Sequence, residues 1–256
     1  SKTAGVNAIA GSITVGDGTT SAVLKLINSD QITDTSIITF NGSGANAGIF
    51  RLNNKNETIG GLSSSGGAGM VENESGSAAT GTLTVNVASG TQTYSGTLRN
   101  GDGAGTDGTL AFVKTGAGTQ ILSGTNTYTG ATTVSAGVLQ IGSNGLGTTG
   151  TGATTVQSNG TLIGTGLIKG SSFTASSGAV VQAGDGTAQS DYGMLTFQPV
   201  SGSGTIDFQS GSTIILGIHP GSTSDRLNVM GTGTNTLLFN GNLTVTADAF
   251  TPTAPE

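Results

Sequence analysis

Short apolar pulses run along the whole chain, separated by turn residues. Clear examples are Ile13–Val15, Val23–Ile27, Ile37–Phe40, Leu83–Val87, Leu110–Val113, Val138–Ile141, Thr213–Leu216 and Leu243–Val245. Within a pulse the alternation has period two. In Leu83-Thr84-Val85-Asn86-Val87 the apolar side chains fall on one side and the polar ones on the other, which is the signature of a half-buried strand. No window carries a helical period. Between pulses lie Gly, Ser, Thr, Asn and Asp, often as Gly-Asp-Gly, Asn-Gly or Ser-Gly, and Gly and Asn reach positive φ at low cost.

Strands at roughly 8–12 residue spacing fit a sandwich, a barrel or a solenoid. Three features favour the solenoid. Aromatic residues are only 4% of the chain, so a wide core has little to fill it, whereas a narrow core of stacked Val, Ile and Leu needs none. The pattern keeps one style over 256 residues, as quasi-one-dimensional folds do. Asn and Thr recur beside turns, where they can stack from one turn of chain to the next. Val138–Gly142, Gly160–Gly164 and Ala179–Gly184 read as successive versions of one such turn. The expected fold is all-β, a parallel β-helix of about 10–13 rungs and roughly 50–60 Å in length. Residues 1–250 form one continuous solenoid in this reading, 251–256 an extended tail, and Gly61–Gly69 a surface excursion.

Composition narrows the function. Charged residues are 9% of the chain, against about 25% in an ordinary domain, and net charge is −6. The 8 Lys and Arg form no cluster, so neither a nucleic-acid track nor a polybasic lipid site is present. No stretch approaches the ~20 apolar residues of a membrane helix. No signal peptide opens the sequence, so the chain is expected to be a processed form or an internal segment.

One stretch carries a more specific pattern. In Leu110–Gly142, Lys114, Gly116, Gly118, Leu122, Gly124, Asn126, Tyr128, Gly130, Thr132, Val134, Gly137, Leu139 and Gly142 fall in register with the autotransporter-associated β-strand repeat, also called the passenger-associated transport repeat, which this stretch resembles. Glu57–Leu62 and Ser224–Val229 are similar to strands that flank such repeats. The resemblance implies a right-handed β-helix on a large exported bacterial protein, and a repeat tied to transport and folding outside the cell, not to catalysis. The chain departs from a full autotransporter in lacking a C-terminal barrel of alternating ~10-residue strands. From the residues themselves, Leu122, Val134 and Leu139 are expected to point inward, Tyr128 to cover an edge of the core with its hydroxyl in water, and Asn126 to take an αL or stacked-turn position.

β-helices also include polysaccharide-cleaving enzymes, whose chemistry rests on acidic side chains. Asp30, Asp34, Glu57, Glu72, Glu74, Asp102, Asp107, Asp185, Asp191, Asp207, Asp225 and Asp248 are scattered, with Glu72/Glu74 and Asp102/Asp107 the nearest pairs. Glycoside hydrolysis needs two carboxylates at a set separation, and these read instead as solvated turn charge. His219, beside Pro220, reads as a surface loop residue with no Ser-His-Asp set around it. Asp225 and Arg226 are a candidate local ion pair. Asp17, Asp102 and Asp185 each stand in Gly-Asp-Gly, similar to calcium-binding β-rolls, but not in tandem. No catalytic, cofactor-binding or metal-ligating residue is assigned. The expected function is a non-catalytic extracellular or cell-surface structural protein: a rod, filament subunit or adhesin stalk. Its expected contacts are end-to-end self-association, continuation in a longer passenger, surface glycans, or host and neighbour cells. The alternative is a polysaccharide-binding or polysaccharide-processing β-helix, for which Tyr94, Tyr128 and Tyr192 are the sparse candidates for sugar stacking.

Overall fold

The computed structural model describes residues 8–42, 46–65, 69–103, 107–142, 146–184, 193–199, 204–218, 224–230 and 235–247. Asp185, Asp191, Tyr192, His219, Pro220, Asp248 and the tail 251–256 lie outside the described residues. Within them there are 23 strands and no helix, and every strand-to-strand pairing is parallel. The strands fall on three faces that the chain visits in the same order. Thr80–Asn86 lies on face one, Thr91–Tyr94 on face two and Thr97–Arg99 on face three; Thr109–Thr115 then returns to face one, directly upon Thr80–Asn86. This is the connectivity of a β-solenoid.

Register shows how the sequence builds it. On face two, Ile13, Ile38 and Leu62 stack in one inward column. Gln92, Gln120, Leu139, Leu162, Val181, Ile214 and Leu243 continue that column, so the described residues form ten levels, about 43 Å at the usual strand spacing and shorter than the roughly 50–60 Å expected. Face one stacks Glu57, Leu83, Phe112, Thr132, Thr154, Phe173, Ile206 and Leu237. Face three stacks Leu24, Phe50, Val71 and Leu98, and later Ile168 and Phe197. Partners lie between 19 residues apart (Thr161 and Val180) and 33 (Val180 and Thr213), because strand positions hold register while the turns differ in length. Thr132–Ile141 and Thr154–Gly164 run through the corner between faces one and two, with a register shift between Val134 and Ala136 that bends them.

The period-two alternation is the reason for burial: Leu83, Val85 and Val87 are buried while Thr84 and Asn86 stand outside. One hydrophobic cluster runs from Val15 to Ile214. Two sequence expectations need correction. The core is not purely aliphatic, since Phe40, Phe50, Phe112, Phe173, Phe197 and Phe208 all lie inside it. Phe173 packs on Phe197 and Phe208 at centroid distances of 4.6 and 5.6 Å. Few aromatics suffice because each adds a large area to a narrow core. Gly61–Gly69 is not wholly an excursion either: Gly61–Ser64 is a face-two strand, and Gly61 and Leu62 are buried.

Candidate functional site

The repeat segment occupies two successive levels, Thr109–Thr115 and Thr119–Leu122 on one and Thr132–Ile141 on the next. Its inward side chains include Leu122, Val134 and Leu139, all fully buried. Its glycines sit where turns stack. Gly116 and Gly137 have φ of 74° and 64°, and a Cβ on Gly137 would lie 2.1 Å from the Gly116 carbonyl oxygen. Only glycine meets both the positive φ and the close approach. Lys114 points inward, in the column of Val85 and Val134, and is fully buried. Its ammonium donates to the carbonyls of Thr115 (2.6 Å), Gly116 (2.9 Å) and Ala136 (3.2 Å), binding the stacked turn together. Burial lowers its pKa to about 8.

Tyr128 is not at a wet edge, as its position in the motif suggested. It is fully buried, and its hydroxyl lies 2.6 Å from Thr132 Oγ1. Thr132 holds an inward position where a longer side chain would fill the space of the ring. On the next level a Cβ on Gly150 would lie 2.4 Å from Tyr128 Cδ2. Tyr94 is likewise fully buried and donates to the Gly69 carbonyl at 2.8 Å. Neither ring can stack on a sugar. Desolvation raises the pKa of both phenols.

Several polar side chains complete ladders where a strand is missing. Asn126 does not take the αL conformation, which among non-glycines of the described residues belongs to Asp30, Asn53 and Asn54. It is buried between levels. Its Oδ1 accepts the Leu98 N–H at 2.8 Å and its Nδ2 donates to the Thr148 carbonyl at 2.6 Å. Gln120 does the same on face two, where its Oε1 accepts the Leu62 N–H and its Nε2 donates to the Leu62 carbonyl, both at 3.0 Å. Glu57, also buried, accepts the N–H groups of Gln31 and Ile32. Sequence reading missed Gln120 and Lys114 as interior residues. Strict alternation with Leu122 and Phe112 was the available signal.

The acids do not read as the sequence suggested. Glu72 is not solvated turn charge but fully buried on face three. Arg51 Nη2 lies 2.7 Å from its Oε1, and Arg99 Nη2 lies 2.6 Å from its Oε2. With both oxygens held by guanidinium groups, it is placed as a structural anion. Arg51 also reaches Glu74 at 2.7 Å. Burial raises the Glu74 pKa, with Arg51 opposing and Glu72 adding to the rise. Asp107 accepts the Gly103 N–H, and Asp225 accepts those of Gly193 and Gly217, so these carboxylates pin loops. Asp17 accepts the N–H groups of Thr19 and Thr20 within its own turn, which hold its pKa well below the usual carboxylate range, Thr20 first.

The tenth level differs from those beneath it. Leu237, Phe239 and Leu243 stack on Ile206, Phe208 and Ile214, which are 2%, 1% and 3% exposed. Their own exposures are 57%, 46% and 55%. Together with Leu216 they line a cavity of about 290 Å³.

No curated protein matches the chain, and no solved structure does. No helix of the described residues is long and apolar enough to cross a membrane. Residues 112–141 match the family described as the passenger-associated-transport-repeat, a repeat of autotransporter passenger-type β-helical domains, which implies a secreted or cell-surface protein.

Proposed function

We propose that this chain is a non-catalytic structural solenoid of a secreted or cell-surface bacterial protein, serving as an extracellular rod, filament subunit or adhesin stalk whose levels join end to end. The observation that carries this reading is the tenth level. Its side chains continue the inward columns yet stand about half exposed, so a further rung laid on it, whether of following chain or of another copy, would bury them as Ile206 and Ile214 are buried. A strand edge carrying apolar columns favours pairing with another strand. A head-to-tail contact of this kind that does not close produces a filament. The uniform ladder, low charge and carboxylates bound to arginines or loop N–H groups favour a structural role over an enzymatic one.

Negative-stain electron microscopy across a concentration series tests it, with Leu237→Glu and Leu243→Glu in parallel. Fibres or end-joined rods that the two variants abolish are the expected result. A chain that stays as single short rods at every concentration would remove self-assembly from this reading.

A further inference from the structure

Face one carries a second pattern on its outer side. Thr58, Thr84, Val113, Thr133, Thr155 and Thr174 stand in register on successive levels, a column of outward side chains. Two residues earlier along the chain stand Asn56, Thr82, Ala111, Ala131, Ala153 and Ser172, with Thr82 and Ala111 paired in register. None of these residues is buried and none is charged. Among the described residues no hydrogen bond ties the five threonine hydroxyls of the first column to the protein, so their partner is solvent.

The grid is regular in both directions. Levels repeat at about 4.8 Å, and alternate residues of a strand stand about 6.6 Å apart. Threonine is β-branched and stiff at χ1, so each of the six threonines presents a hydroxyl and a methyl in a restricted orientation, while Val113 and the three alanines present methyls alone. The backbone beneath is paired on both sides from Thr80–Asn86 through Ser172–Ala175.

Chemistry excludes most partners. Nucleic acid needs cations to neutralise phosphates, and the columns have none. A protein hot spot draws on Trp, Tyr and Arg, none of which appears. A second copy is disfavoured by size: six levels measure about 24 Å by 13 Å, roughly 300 Å², against about 800 Å² per partner in a stable complex. The remaining match is a neutral, periodic surface of mixed hydroxyl and methyl groups. We propose that this face binds ice, its hydroxyls hydrogen-bonding lattice water and its methyls seated between. A rigid grid loses little conformational entropy on joining an ordered surface.

Partitioning of the full chain into slowly growing ice tests this, with a non-binding protein of similar size as the reference. The wild type is expected to enrich in the ice fraction. Thr133→Tyr and Thr155→Tyr, at the centre of the grid, should fall to the reference level. Tyr suits an exposed strand position, and unchanged circular-dichroism melts would confirm folding. Thr39→Tyr, outward on face two, should partition as the wild type. Exclusion of the wild type from ice, central variants that still partition, or equal loss in Thr39→Tyr would each overturn the proposal. Binding to crystalline cellulose combined with exclusion from ice would overturn it too and assign the face to a polysaccharide.

Discussion

The carboxamide of Gln120 forms a closed pair of hydrogen bonds with the backbone of Leu62, 58 positions earlier and two levels away. It stands where face-two strands Gly61–Ser64 and Thr91–Tyr94 share no ladder, and it also donates to the Gln92 carbonyl at 3.2 Å. A side chain thus does the work of a backbone. Gln120→Leu keeps the volume but leaves the Leu62 N–H and carbonyl buried and unpaired. We expect a loss of about 2–4 kcal/mol in urea unfolding, the usual range for two such groups. A variant as stable as the wild type would show that water replaces the amide.

Tyr128 and Thr132 form the next test. Tyr128→Phe should cost about 1–2 kcal/mol, since it leaves the Thr132 hydroxyl buried without its partner. Adding Thr132→Val to Tyr128→Phe should recover part of that loss. A double mutant equal to the sum of the singles would mean the two hydroxyls act independently.

The buried phenols set an alkaline limit. Desolvation raises the pKa of Tyr94 and Tyr128 above 10 in the folded chain, so the native state keeps protons that the unfolded state loses. Their contribution to stability is present below pH 10 and is lost as pH rises through the raised values. Absorbance at 295 nm should therefore show these two phenolates only as β-sheet ellipticity disappears. Early titration of all three tyrosines in a folded chain would contradict the burial.

The arginine-held glutamate should be sensitive to removal of its charge. Glu72→Gln leaves Arg51 and Arg99 facing a neutral amide, and breaking a buried pair costs about 3–5 kcal/mol; the part-exposure of both arginines places the expectation at the low end, about 3 kcal/mol. Thermal melts of the variant give the answer, and a loss within error of zero would mean that the pair's desolvation cost cancels its attraction.

Glu74 gives the opposite pH sense to a typical carboxylate. Its folded pKa is raised, so its contribution to stability is present below pH 4.5 and fades as pH climbs through the raised value. Glu74→Gln should flatten that part of the stability profile. An unchanged slope in a pH series of melts would assign the dependence to other groups.

Much of this was legible in the chain. The alternation in Leu83–Val87 placed its residues correctly inside and out, and the glycine and leucine spacing of Leu110–Gly142 marked the repeat. What alternation could not supply was the exception inside it. Gln120 and Lys114 occupy inward positions with polar ends, because each curls back to carbonyls and N–H groups that exist only once neighbouring levels are stacked. Tyr128 read as a rim residue because its partners, Thr132 and the space above Gly150, are fixed by register across levels. Glu72 read as solvated because Arg51 and Arg99 are 21 and 27 positions away in sequence yet adjacent on the sheet.

The spacing of ladder partners has a kinetic consequence. Each level rests on chain made 19 to 33 residues earlier, so a nascent or emerging segment of that length can seat on the edge already formed. Growth can thus be vectorial, each edge templating its successor, with the loop-closure cost met in small successive steps. Gln120 then acts as a checkpoint in this order: its amide finds both Leu62 groups only if the two levels below it are already in register.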